Sequence, residues 1–166
     1  MFSQKNYPEK LGSCATTIKS SGCLITSLCN LNEVLHFMGS INPSEMNKLC
    51  IKYGFYSSGC LLNASALAKF LKLTYEKTTK PKDICIAETN HYKNLGVPQH
   101  FFLINPKTKE KLDPLDMEPA WRTNNFNIVS YRIFAPVAIE TPPTTSEPTY
   151  PPIAPETPSS NATEPL

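Results

Sequence analysis

Six cysteines and three histidines offer the most reactive side chains in this sequence, and their settings differ. Cys23 follows Ser20-Ser21-Gly22 and opens a segment of helical periodicity. A thiol at a helix N-terminus meets unpaired backbone N–H groups and the positive end of the dipole, both of which favour the nucleophilic thiolate. Gly22 permits close backbone approach beside the sulfur. The competing reading is a small buried thiol, the usual state of a free cysteine. Cys29 and Cys50 fall within helical patterns and Cys85 within an apolar strand pattern, so packing accounts for them. Cys14 and Cys60 fall in loops, where only exposure would make them reactive. With no C-x-x-C pair and the histidines standing apart, a zinc cluster is not indicated. No metal or cofactor is implied.

A thiol nucleophile needs a base. His36 lies thirteen residues along the same helix as Cys23, roughly 20 Å along its axis, and is excluded. His91 sits in the polar stretch 89–93, a loop of no fixed position. His100 opens an apolar strand, so its backbone is held while its ring stands at the sheet's end; a surface role there is equally ordinary. A base in turn needs an orienting group. Asp113, in Leu112-Asp113-Pro114, follows His100 by thirteen residues across a hairpin-like turn, and adjacent strands would bring the two together. Asp before Pro is also a common turn residue, and Asp116 is the fallback. An oxyanion needs donors. The Cys23 backbone N–H is one, and a side-chain amide from Gln4 or Gln99 is the other.

The elements that must position these groups are legible as patterns. Residues 22–38 place Leu24, Leu28, Leu31, Leu35 and Met38 on one helical face, with Gly39 at the C-terminal cap. Asn42-Pro43-Ser44-Glu45 is a helix start with a cap, a first-turn proline and a capping glutamate; that helix buries Met46, Leu49 and Cys50 and ends at Gly54. A third helix runs from about Asn63 to Leu73 with Leu67, Phe70 and Leu71 inward. Strands are expected at 84–87, 100–104, 111–113 and 128–134. Helices first and strands after give an α+β fold with an antiparallel sheet.

Composition sets the remaining bounds. The chain has 166 residues, 40% apolar, enough for one domain with a core. Sixteen basic against ten acidic residues precede residue 136, a balance of +6; residues 136–166 carry four glutamates, no base and nine of the sixteen prolines. The expected organisation is a folded domain over 1–135 and a disordered Pro/Thr/Glu-rich tail or linker over 136–166, which is a spacer or a tether to a partner. The basic charge is too weak and dispersed for nucleic acid. No apolar run approaches a membrane span, and the N-terminus has no signal pattern, so a cytoplasmic or virion-associated protein with reduced thiols is expected. Trp121 is a residue either of the cleft near Asp113 or of ordinary packing.

Phe2-Ser3-Gln4, Ser21-Gly22-Cys23-Leu24-Ile25-Thr26-Ser27-Leu28, His100-Phe101-Phe102-Leu103 and Leu112-Asp113-Pro114 together resemble the peptidase C39-like branch of the papain-type cysteine peptidases, above all its stand-alone bacterial and bacteriophage members. The resemblance covers about residues 1–134. It implies a papain-like fold, with the nucleophile's helix packed on an antiparallel sheet. It implies Cys23 as nucleophile, His100 as base, Asp113 as its orienter and Gln4 with the Cys23 N–H as oxyanion donors. The activity implied is cleavage of a peptide or isopeptide bond through a thioester acyl-enzyme, with cell-wall peptide the natural substrate for a bacterial or phage protein. Nineteen residues separate Gln4 from Cys23, so the loop between them must fold back. Deamidation and transpeptidation share the same acyl-enzyme. The alternative from another class is a non-catalytic papain-like binding or structural module, associated with a virion or a secretion apparatus.

Overall fold

The computed structural model describes residues 1–90, 96, 99–115 and 127–137. His91, Asp116, Trp121 and the tail beyond Val137 lie outside the described residues. After a short turn at Gln4–Asn6 come helices α1 (Ile18–Ser21), α2 (Cys23–Leu35), α3 (Pro43–Lys52) and α4 (Ala64–Phe70). Strands β1 (Leu73–Thr78), β2 (Cys85–Thr89), β3 (His100–Ile104), β4 (Lys111–Leu112) and β5 (Ile128–Pro136) follow. The fold is α+β. The strands form one antiparallel sheet in the order β1-β5-β2-β3-β4.

Alternation along the strands separates two apolar faces. Ile86, Phe101, Leu103 and Phe134 face the helices and pack with Leu28 and Leu31 of α2, Met46 and Cys50 of α3 and Leu67 of α4. Cys85, Ala87, Phe102 and Ile104 form a second cluster on the opposite face. The Ser27 hydroxyl on α2 donates to the Phe101 carbonyl at 3.2 Å, a buried polar stitch between the helix and β3. That stitch lies one turn from Cys23 and one residue from His100.

Helix α3 begins as its sequence requires: Asn42 Oδ1 accepts from the Glu45 N–H, Glu45 returns a carboxylate to the Asn42 N–H, and Pro43 takes the first helical position. Tyr53 caps it and Gly54, at φ +70°, supplies the left-handed turn. Helix α2 ends earlier than the pattern predicts. His36 itself adopts the left-handed conformation at φ 52°, and the Asn32 side chain holds the turn by accepting from Met38 N–H and donating to Gly39 O. Met38 and Gly39 are therefore loop residues. Helix α4 stops at Phe70, and Lys72 at φ 57° turns the chain so that Leu73 starts β1 rather than ending a helix. Phe70 faces outward, 43% exposed, and stacks with Tyr53 and Phe55 on the surface.

The loop cysteines also depart from expectation. Cys14 and Cys60 form a disulfide, with their Cα atoms 6.0 Å apart, so two of the six thiols are not reduced. The physical reason is the packing beneath them. Gly12, at φ +59°, lets the N-terminal loop lie against Cys60 and Tyr56, and a β-carbon there would fall 3.1 Å from the Cys60 sulfur. No described helix is long and apolar enough to cross a membrane.

Candidate active site

Gly22 decides where Cys23 stands. The short helix α1 is closed by a capping box between Thr17 and Ser20 and ends against Gly22, whose N–H donates to Ile18 O at 2.7 Å. A β-carbon on Gly22 would come 2.6 Å from both Ile18 Cγ2 and Ile18 O, so only glycine permits the chain to turn here and start α2 at the next residue. Cys23 is thus the first residue of α2, and its N–H has no acceptor within the helix. Its side chain is 9% exposed, at the wall of a cleft of about 610 Å³.

His100 opens β3 and lines the same cleft. Pairing of β3 with β4 puts Leu112 opposite Leu103, and the chain leaves the strand at Asp113 under the restraint of Pro114. The Asp113 carboxylate then lies 3.0 and 3.2 Å from His100 Nε2. The Leu115 N–H donates to the same carboxylate at 2.8 Å and fixes its orientation. Cys23 is close enough to the imidazole to act on it as well, by hydrogen bonding and by charge. Burial works to lower the His100 pKa, but the hydrogen bonds to Asp113 and Cys23 and the charges of both outweigh it and raise the pKa to about 9. The other free thiols are buried and do not compete. Burial pushes Cys50 and Cys85 to about 12 and Cys29 higher still, which keeps them as unreactive thiols.

Gln4 reaches this cleft although it stands nineteen positions before Cys23. Asn30 on α2 grips both the N–H and the carbonyl of Phe2, at 2.6 and 2.9 Å. The Gln4 N–H donates to Pro114 O at 2.8 Å, which ties the first turn to the segment carrying Asp113. The intervening loop folds back through Ile18 N–H to Glu9 O and Lys19 N–H to Tyr7 O. The Gln4 amide, 1% exposed, donates from Nε2 to Lys19 O at 3.0 Å, which leaves Nε2 one further hydrogen. Its Oε1 is buried without a partner. The structure therefore brings Gln4, Cys23 and His100 to one cleft, with Asp113 held against His100. His36 closes the far end of α2, away from it.

Gln99, the other amide considered, also lines the cleft, and its amide donates to Glu88. That bond belongs to a polar cluster absent from the sequence reading. Glu88, Ser130 and Arg132 are buried on the cleft side of the sheet, joined by Arg132 Nη2 to Glu88 at 2.8 Å and Arg132 Nη1 to Ser130 Oγ at 2.7 Å. The available signal was a charged residue at an inward position of each of two strands otherwise built for a core. Among the described residues, no three His, Cys, Asp or Glu side chains come together as metal ligands. No family model, no curated protein and no solved structure matches the chain, so the chemistry of the cleft itself carries the functional reading.

Proposed function

We propose that the protein is a cysteine-type hydrolase of peptide or isopeptide bonds, with the papain-like arrangement of a C39-like peptidase. The observation that carries the reading is His100, bonded through Nε2 to Asp113 and raised in pKa by Asp113 and by the Cys23 thiol at a helix N-terminus. A histidine that holds its proton well above neutrality is the partner a thiolate needs, and a purely structural domain has no use for the three groups in line.

Cys23 Sγ attacks the carbonyl carbon of the scissile bond, and the displaced electron pair becomes an oxyanion. The Cys23 N–H and the second Nε2 hydrogen of Gln4 are its donors. Collapse expels the amine, which takes the proton from His100, and leaves a thioester. His100 then removes a proton from water, the hydroxide attacks the thioester, and the acid and the Cys23 thiol are released. Asp113 holds the ring throughout. The order of elements, a helix bearing the nucleophile packed against an antiparallel sheet bearing base and orienter, supports the papain-like reading. A cell-wall peptide fits a bacterial or phage source.

The test is alkylation of the four free cysteines by iodoacetamide, followed by peptide mass spectrometry from pH 5 to 9, in wild type and His100→Ala. Cys23 should label fastest, and at low pH, and lose that advantage in the variant. Hydrolysis of an activated ester such as N-acetylglycine p-nitrophenyl ester should disappear in Cys23→Ala. If Cys23 reacts no faster than the buried thiols, the domain is a binding module instead.

A further inference from the structure

The mechanism makes no use of the cations on the other wall of the cleft. Lys77 on β1 pairs across from Arg132 on β5, and Tyr75 lies two residues before Lys77 on the same face. Tyr75 and Arg132 line the cleft together with Cys23 and His100. Arg132 is 9% exposed, and its guanidinium lies 5.5 Å from the centre of the Phe101 ring, which fixes its plane. Of its five donors, Ser130 and Glu88 take two, and among the described residues no acceptor takes the others. The Tyr75 hydroxyl senses the charges of both Arg132 and Glu88, and no acceptor among the described residues holds it. Glu88 cannot neutralise this wall by itself. Its carboxylate already receives Gln99, Ser130 and Arg132, with Lys77 at 3.8 Å, so the two cations exceed the one anion by a unit charge. Burial opposes the ionisation of Glu88, but the hydrogen bonds and cations around it lower its pKa, so it remains charged and occupied.

We propose that Arg132 and Tyr75, backed by Lys77, form a subsite for an acidic side chain of the peptide substrate. This deepens the hydrolase reading and rests on it. Guanidinium donors that no described residue accepts, beside a net positive charge, are matched by a carboxylate, which accepts two of them in a fork and takes a third bond from a phenol. The register places the acid. Arg132 pairs with Ile86 and His100 with Thr89, so Arg132 stands two strands across and three residues along from the base. With strands ~4.8 Å apart and a rise of ~3.3 Å per residue, the two backbones are separated by about 14 Å. An arginine side chain spans part of that distance. The recognised acid therefore stands apart from the bond that is cut.

Binding and reactivity are measured separately. Full-length Cys23→Ala protein is titrated with acetyl-Glu-Gly-Gly-amide, its Gln isostere and its Lys counterpart, with the Arg132 Nε–H resonance as the reporter. The Glu peptide should move that resonance and bind about tenfold more tightly than the Gln peptide, and the gap should shrink as salt is raised. The Glu88→Gln/Arg132→Gln double variant, which removes the cation without leaving Glu88 unpaired, should bind the two alike. Tyr75→Phe, which spares the charged pair, should narrow the gap while leaving the melting temperature close to wild type. Equal binding of the Glu and Gln peptides by the Cys23→Ala protein, or a Glu preference that survives the double variant, overturns the subsite. Iodoacetamide labelling of Cys23 in otherwise unaltered protein is independent of these peptides, so failure of the subsite and failure of the thiol mechanism give different results.

Discussion

Cys23, His100 and Asp113 were legible because each stands at the end of an element, where sequence patterns change, and because their chemistry is tied to residue type. What the sequence withheld was the reason Cys23 occupies the first helical position. That reason is the contact of Gly22 with Ile18, between residues whose types announce nothing. Gly22→Ala forces a β-carbon to within 2.6 Å of the Ile18 carbonyl, so α1 and α2 must separate. A loss of about 1–3 kcal/mol is expected, read as a lower melting temperature, together with slower labelling of Cys23. His100 gives a pH prediction. Its pKa is raised in the folded protein from 6.5 to about 9, so folding favours the protonated ring. The stabilisation is fully present below pH 6.5 and lost as pH rises through about 9. The imidazolium needed beside the thiolate is lost over the same range, so kcat/KM for ester hydrolysis should fall on an alkaline limb near pH 9. Asp113→Asn removes the hydrogen-bonded carboxylate that raises the pKa, so that limb should move to lower pH. An unmoved limb would show that Asp113 does not govern the base.

Among elements, α3 was readable at its start to the residue and at its end to within two, because its boundaries are chemical: a capping box at one end and a left-handed glycine at the other. Helix α2 was overextended because its apolar periodicity outlasts its hydrogen bonds; a side chain, Asn32, closes it. Strand β1 was missed because its third inward position is Lys77, and the alternation that marks a half-buried strand fails there. As an edge strand it tolerates exposed charge, and that same Lys77 pairs across from Arg132. Helix α1 and the Gln4–Asn6 turn were hidden as well, the turn because it is tied to Pro114, and Phe2 before it to Asn30, both distant in sequence. The proposed role of Gln4 is separable from that of the thiol. Alkylation of Cys23 by iodoacetamide develops no oxyanion, whereas acyl transfer does. Gln4→Ala should therefore lower kcat for ester hydrolysis on the order of a hundredfold while Cys23 labels at close to the wild-type rate. Equal losses in both measurements would mean that Gln4 merely holds the loop in place.

At the scale of the molecule, the helices and the sheet meet along one cleft, and the disulfide braces its outer wall. Cys60 stands at φ 55°, and it and the following Leu61 and Leu62 line the cleft, while Cys14 belongs to the loop that carries Gln4 back to Cys23. No local signal pairs two loop cysteines 46 residues apart; only the assembled fold, with Gly12 packed beneath Cys60, brings them together. Closing a loop of that length removes chain entropy from the unfolded state worth up to about 4 kcal/mol. The Cys14→Ser/Cys60→Ser double variant should consequently melt on the order of 10 °C lower than oxidised wild type. Reductant should bring the wild type down to the variant's melting temperature and leave the variant where it is. A wild type indifferent to reductant would mean that the pair contributes nothing to stability. Because the disulfide joins loop segments and the charged cluster is on the strands, the double variant should weaken peptide binding for Glu and Gln peptides alike. Their ratio should stay the same, since the groups that would set it belong to the sheet and not to the loop.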